Sequence, residues 1–127
     1  MKFTMTENAF ETEENFGKLT VSGNDEYGFR PFQLMVSSIA VCSGGVLRKV
    51  LEKQRMSVAS MTIDADVTRN PDEANRITKI ALHYNIAGEN LSEKKVEKAI
   101  HVASKNCPMA QTVVGSVELE ETFTISE

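Results

Sequence analysis

Residues 31–48, Pro31-Phe32-Gln33-Leu34-Met35-Val36-Ser37-Ser38-Ile39-Ala40-Val41-Cys42-Ser43-Gly44-Gly45-Val46-Leu47-Arg48, decide how this chain folds. Pro31 suits a first helical position, because its fixed φ is preset for a helix and its missing N–H is not needed there. The apolar spacing then predicts one long helix over about residues 32–54, on the order of 33 Å at 1.5 Å per residue. Met35, Ile39, Cys42, Val46 and Val50 form one stripe, widened by Val36, Ala40, Leu47 and Leu51. The opposite face carries Ser37, Ser38, Val41, Gly44 and Gly45, and no charge appears before Arg48. A helix that is apolar or small on every side is buried on every side. The segment around Cys42 is therefore expected in the interior or at an interface between copies of the chain. Gly44-Gly45 reads as a place of close helix contact.

On the N-terminal side, Phe3 and Met5 alternate with Thr4 and Thr6, and Leu19 and Val21 alternate with Lys18 and Thr20, which predicts short strands. The acidic stretch between them, with Glu7, Glu11, Glu13 and Glu14, reads as a solvated strand face or turn. On the C-terminal side, Met61, Ile63, Ala65 and Val67 lie in phase, as do Ile80, Leu82, Tyr84 and Ile86. The breakers Arg69-Asn70-Pro71-Asp72 between them predict an antiparallel pair, with Ile77 out of phase at an expected bulge. Ser92 is a candidate N-cap for a helix over about 93–106, with Val96, Ala99, Ile100 and Ala103 buried. A short helix from Pro108 to about Val114 follows, then a strand over about 116–125. Val117, Leu119, Phe123 and Ile125 are in phase there, and Glu121 is an acid on the apolar phase. The order of elements gives an α+β fold, read as a single domain over residues 1–127.

Charge and composition narrow the function. The 127 residues carry a net charge of −4 and 25% charged side chains, with no block of Lys and Arg, so nucleic acid is not an expected partner. No apolar run reads as a membrane span, and Met1–Phe10 does not read as a signal peptide, so a cytoplasmic setting is expected. In a reducing cytosol two lone cysteines point to transient redox chemistry more than to a structural staple.

Cys42 and Cys107 stand 65 positions apart. Pro108 disfavours helix at Cys107 and opens the next one, which makes Cys107 a candidate N-cap. Its sulfur would then face backbone N–H groups and a positive dipole end, both of which favour thiolate. Cys42, inside a buried helix, would be raised by desolvation unless a cation or donor compensates. By this reasoning alone Cys107 is the more acidic thiol. His83 and His101 read as surface or hydrogen-bonded residues, and with the two cysteines they lack any paired spacing for zinc.

Pro31-Phe32-Gln33-Leu34-Met35, with Cys42-Ser43-Gly44-Gly45 eight residues beyond Leu34, resembles the central-helix signature of the OsmC and organic hydroperoxide resistance (Ohr) family. That signature is roughly P-x-E-L-L, a small-residue helix and the first cysteine. Asn106-Cys107-Pro108-Met109 is similar to the family's second motif. Together with the order of elements, the likeness covers essentially the whole chain. It implies an intertwined homodimer, with antiparallel sheets packed around long central helices. It also implies a thiol-dependent peroxidase: Cys42 would attack an organic hydroperoxide, Cys107 would resolve the sulfenic acid as a disulfide, and an external dithiol would reset the pair. No metal or organic cofactor is implied, because sulfur carries both electrons.

Peroxidase members activate the first cysteine with an arginine from the N-terminal strand region, oriented by a glutamate at the start of the central helix. Here residues 1–29 contain no arginine, and Phe32 and Gln33 stand at the glutamate positions. Arg30 and Gln33 are the candidates for those roles, although Gln33 cannot hold a cation by charge. Two readings stay open: an organic hydroperoxide reductase, or an OsmC-like homodimeric ligand-binding or redox-sensing protein without efficient peroxidase activity.

Overall fold

A computed structural model describes residues 1–126. The elements run β1 (Thr4–Met5), β2 (Phe10–Glu13), β3 (Lys18–Val21), α1 (Pro31–Lys53), β4 (Ser57–Asn70), β5 (Arg76–Glu89), α2 (Glu93–Asn106), α3 (Pro108–Val113) and β6 (Glu118–Ser126). The chain divides into two units, residues 1–37 and residues 38–127.

In the N-terminal unit, β1, β2 and β3 form an antiparallel meander in that order. The acidic stretch supplies β2: Glu11 pairs with Thr20, and its carboxylate meets Lys18 Nζ at 3.4 Å. Phe29 returns beside Val21, and Arg30 leads into α1.

In the C-terminal unit, β5 is central, with β4 antiparallel on one side and β6 parallel on the other. The expected hairpin is present and longer than its apolar phase alone indicated. The bulge lies where Ile77 falls out of phase: Thr68 pairs with Lys79, and Arg69 with Ile77. Ile80, Leu82, Tyr84 and Ile86 all point inward, each at most 1% exposed. α2 begins as expected at Glu93, with the Ser92 hydroxyl accepting the Lys95 N–H, and buries Val96, Ala99, Ile100 and Ala103.

α1 matches its expected span to within one residue, and its buried residues fall mostly on the expected face. The buried residues are Val36, Ala40, Ser43, Leu47 and Leu51, with Ile39 beside them. Val36, Ile39, Ala40, Leu47 and Leu51 are expected on this stripe; Ser43 is not, and the stripe is centred away from Met35, Cys42 and Val46. Met35 is exposed, and Cys42 sits at the edge of the buried face. Burial on every side is not found within one chain: Val41 is 71% exposed, and the space before Gly45 is open. Gly44 does permit close packing, since a Cβ there would fall 2.5 Å from Ile63 Cδ1 of β4. α1 is long and apolar enough, by length and composition alone, to cross a membrane, which the sequence reading did not anticipate. Here Leu47 and Leu51 are wholly covered by protein. Just past the end of α1, Arg55 takes a left-handed φ of 62° while the Met56 N–H returns to the Leu51 carbonyl.

Candidate active site

Cys107 occupies the joint between α2 and α3. Pro108 keeps it out of the helical region, and it adopts φ −86°, ψ 111°. In that conformation its sulfur turns back over the first turn of α3 and accepts the Ala110 N–H at 3.3 Å. The residue is completely buried. The N-cap expectation for Cys107 is thus met in atomic detail.

Cys42, half-buried on α1, lies within hydrogen-bonding reach of the Cys107 sulfur, and the Met109 N–H is directed at both. Both thiols are free. Two sulfurs 65 positions apart in sequence are neighbours in the fold.

The pair is asymmetric. Burial pushes the Cys107 thiol up, but hydrogen bonds from Cys42, Ser43 and the Ala110 and Met109 N–H groups outweigh it and hold it below its ordinary value. Cys42 moves the other way, chiefly because its S–H is engaged by the Cys107 sulfur, with burial and the negative charge of Cys107 adding to the rise. The contact between the two sulfurs thus favours thiolate at Cys107 and thiol at Cys42.

Behind Cys107 lies a chain of hydroxyls that sequence reasoning did not assemble. Ser43, 1% exposed, sits within hydrogen-bonding reach of both the Cys107 sulfur and the Tyr84 hydroxyl. Tyr84 is wholly buried on β5 and donates to Glu121 Oε2 on β6 at 2.8 Å. Burial, reinforced by the Glu121 charge, drives the Tyr84 hydroxyl far above the usual phenol range, so it stays protonated. The one signal in the sequence was Glu121, the acid on the apolar phase of β6. It is there because Tyr84 needs an acceptor.

Arg30 and Gln33 form a second pair, in the N-terminal unit. The Gln33 side-chain oxygen accepts the Arg30 backbone N–H at 3.0 Å, which is half of a capping box at the start of α1. The Arg30 guanidinium carbon lies 4.9 Å from the centre of the Phe32 ring. Its Nε is buried without a hydrogen-bond partner. His83 bridges Thr122 and Thr124 at 2.6 and 2.9 Å, as a hydrogen-bonded strand residue. His101 is exposed and lines a cleft of about 500 Å³ between α2 and β6, where Glu121 also emerges.

A family model described as OsmC-like protein matches residues 23–122. The chain belongs to the OsmC-like family. Among relatives, it is 27% identical over 93 residues to organic hydroperoxide resistance protein OhrB of Bacillus subtilis, covering 73% of this chain and 68% of that protein. It is 22% identical over 98 residues to an organic hydroperoxide resistance protein-like 2 of Staphylococcus epidermidis, covering 77% and 67%. Solved structures superpose closely on this chain. A hypothetical protein from Aquifex aeolicus matches with a TM-score of 0.88 at 23% identity, over 98% of this chain and 93% of that one. An OsmC-like protein from Mycoplasma pneumoniae gives 0.87 at 18%, over 99% and 95%. The α+β OsmC-like fold expected from the sequence is therefore the fold of this chain.

Proposed function

We propose that this OsmC-like protein reduces organic hydroperoxides with the Cys42–Cys107 thiol pair. The observation that carries the reading is that the half-buried Cys42 lies within hydrogen-bonding reach of the buried Cys107 sulfur. The buried Cys107 holds the first thiolate, and the accessible Cys42 meets the peroxide. As Cys42 attacks the distal peroxide oxygen, its proton crosses to the Cys107 thiolate, so Cys107 serves as its base. The O–O bond breaks, the alkoxide leaves and takes a proton from water, and Cys42 becomes a sulfenic acid. Cys107 then gives up the proton it took and attacks the Cys42 sulfur, the S–O bond breaks, hydroxide leaves to be neutralised by the released proton, and the disulfide forms. An external dithiol takes the disulfide back to two thiols, which suits a reducing cytoplasm.

The reading includes a homodimer. Met35 (45% exposed), Val41 and Gly45 leave one face of α1 uncovered, and a second copy of that face would bury it. Arg30 and Gln33 are assigned to the site in that assembly, with the Arg30 guanidinium as the cation.

The test is thiol counting by mass spectrometry after one equivalent of cumene hydroperoxide. Prompt loss of two thiols to an internal disulfide supports the reading, with Cys42→Ser inactive and Cys107→Ser trapped as a sulfenic acid. Intact thiols after exposure sink it. One observation favours the second reading, a ligand-binding or redox-sensing homodimer: Gln33 is already engaged in capping α1, and Cys42 is the less acidic thiol. Slow over-oxidation of a single cysteine is the outcome that reading expects.

A further inference from the structure

Once Cys107 has taken the proton of Cys42, it is a buried thiol that must lose that proton before it can attack the sulfenic acid. Its sulfur has no exposed surface from which to do so. We propose, resting on the peroxidase reading, that Ser43, Tyr84 and Glu121 are a proton exit path from Cys107 to the cleft between α2 and β6.

The polarity of the chain supports this direction. An ionised carboxylate only accepts hydrogen bonds, so the 2.8 Å contact fixes the Tyr84 O–H toward Glu121. That leaves the Tyr84 oxygen as an acceptor facing Ser43. Ser43 has one hydrogen and can rotate it. Against a Cys107 thiolate the hydroxyl donates to sulfur; against a Cys107 thiol it turns to donate to Tyr84 and accepts the S–H. In the second arrangement every donor points the same way, from Cys107 to Glu121. The step then balances. The Cys107 S–H bond breaks and its proton binds the Ser43 oxygen; the Ser43 proton passes to Tyr84, and the Tyr84 proton to Glu121 Oε2. The products are a Cys107 thiolate and a neutral Glu121. The thiolate forms the S–S bond as hydroxide leaves Cys42.

Glu121 is where the path meets water. Ser43 and Tyr84 are buried, whereas Glu121 lines the cleft of about 500 Å³ together with Glu97 and His101 of α2. The titratable groups facing it are therefore Tyr84 from β5 and Glu97 and His101 from α2. The path also explains two choices that packing does not: a tyrosine among Ile80, Leu82 and Ile86, and an acid among Leu119, Phe123 and Ile125.

Ser43, Tyr84 and Glu121 act through Cys107, so they are positioning residues, and the test needs a signature that packing alone does not give. Rapid-quench mass spectrometry with cumene hydroperoxide follows the sulfenic acid and the disulfide separately. Tyr84→Phe and Glu121→Gln should each slow disulfide closure roughly tenfold or more at neutral pH, so that sulfenic acid accumulates. Raising the pH until both thiols are ionised before the peroxide arrives should restore the rate, because Cys107 then has no proton to lose. Closure at the wild-type rate in both variants overturns the path, as does a defect that high pH does not relieve. A peroxide-free measurement separates this proposal from the function it rests on. In Cys42→Ser, the thiolate absorbance near 240 nm after a pH jump follows how fast Cys107 loses its proton, and adding Tyr84→Phe should slow that step roughly tenfold. Superposed traces overturn the path even if the wild type consumes hydroperoxide, and a slower one supports it even if the wild type does not.

Discussion

Tyr84 gives its hydroxyl hydrogen to Glu121 Oε2 at 2.8 Å, joining the middle of β5 to the neighbouring parallel strand β6. The register places Glu121 beside Leu82 and Phe123 beside Tyr84, so the contact runs diagonally across the inner face of the sheet. Each residue answers a need of the other: a buried phenol requires an acceptor, and an inward carboxylate requires a donor.

The energetics of that pair follow from this mutual need. Glu121→Leu leaves the Tyr84 hydroxyl short of an acceptor in the interior and should cost roughly 1–3 kcal/mol. The double variant Tyr84→Phe with Glu121→Leu replaces both partners by apolar groups and should recover a good part of the loss. Urea denaturation of the two single variants and the double variant closes the cycle. An additive result would show that the pair does not act as a unit.

The thiol pair should titrate in two steps that straddle the ordinary cysteine value of 9.0. Absorbance near 240 nm against pH reads both. The folded value of Cys107 is depressed, so between it and about 9 the unfolded chain holds more protons and stability rises with pH. Below the folded value of Cys107 that contribution is gone. The folded value of Cys42 is raised, so from about 9 upward the folded state holds more protons and stability falls again. As far as these two groups contribute, stability should peak near pH 9. Cys42→Ala removes the S–H donor and should move the Cys107 step upward.

The open face of α1 should be a contact between copies. Light scattering after gel filtration is expected to give a dimer. Val41→Asp places a charge on that face and should raise the dimer dissociation constant roughly a hundredfold, or about 2.8 kcal/mol. A monomeric wild type, or a Val41→Asp dimer of unchanged affinity, would remove this face from the assembly.

Arg55 closes α1 with a φ of 62°, a region that costs a non-glycine residue about 1–2 kcal/mol. Its side chain is exposed. Arg55→Gly should therefore stabilise the fold by about 1 kcal/mol, less what glycine loses in the unfolded chain. A rise of a few degrees in Tm, about 2–5 °C, is the expected reading by calorimetry.

What the sequence revealed was mostly local. The caps at Ser92 and Cys107, the breaker Pro108 and the alternation of β4 and β5 each depend on a few adjacent residues, and each was read correctly. The face of α1 was read in part: Val36, Ile39, Ala40, Leu47 and Leu51 were expected on it and are buried. The first half of the helix is apolar or small all round, so no charge marks the solvent side, and the expected stripe was centred on Cys42, which lies at the edge of the real one. It also overlooked Ser43, which faces inward toward Cys107 and Tyr84. The hydroxyl chain was beyond reach because its members come from α1, β5 and β6. Only Glu121, out of keeping with its neighbours, betrayed it. Gln33 is expected from the resemblance to stand in for the orienting glutamate, and its side chain caps α1 by accepting the Arg30 N–H.

β5 and β6 are parallel, so the segment between them, α2 and α3, must travel back along the sheet before β6 begins. Cys107 sits at the elbow of that return. If its sulfur bonds to Cys42, the elbow is clasped to α1 and a loop of some 65 residues is closed, a constraint worth about 4 kcal/mol against unfolding. Each turnover would then stiffen and release the same hinge point, and a melting curve alone would report the oxidation state of the protein.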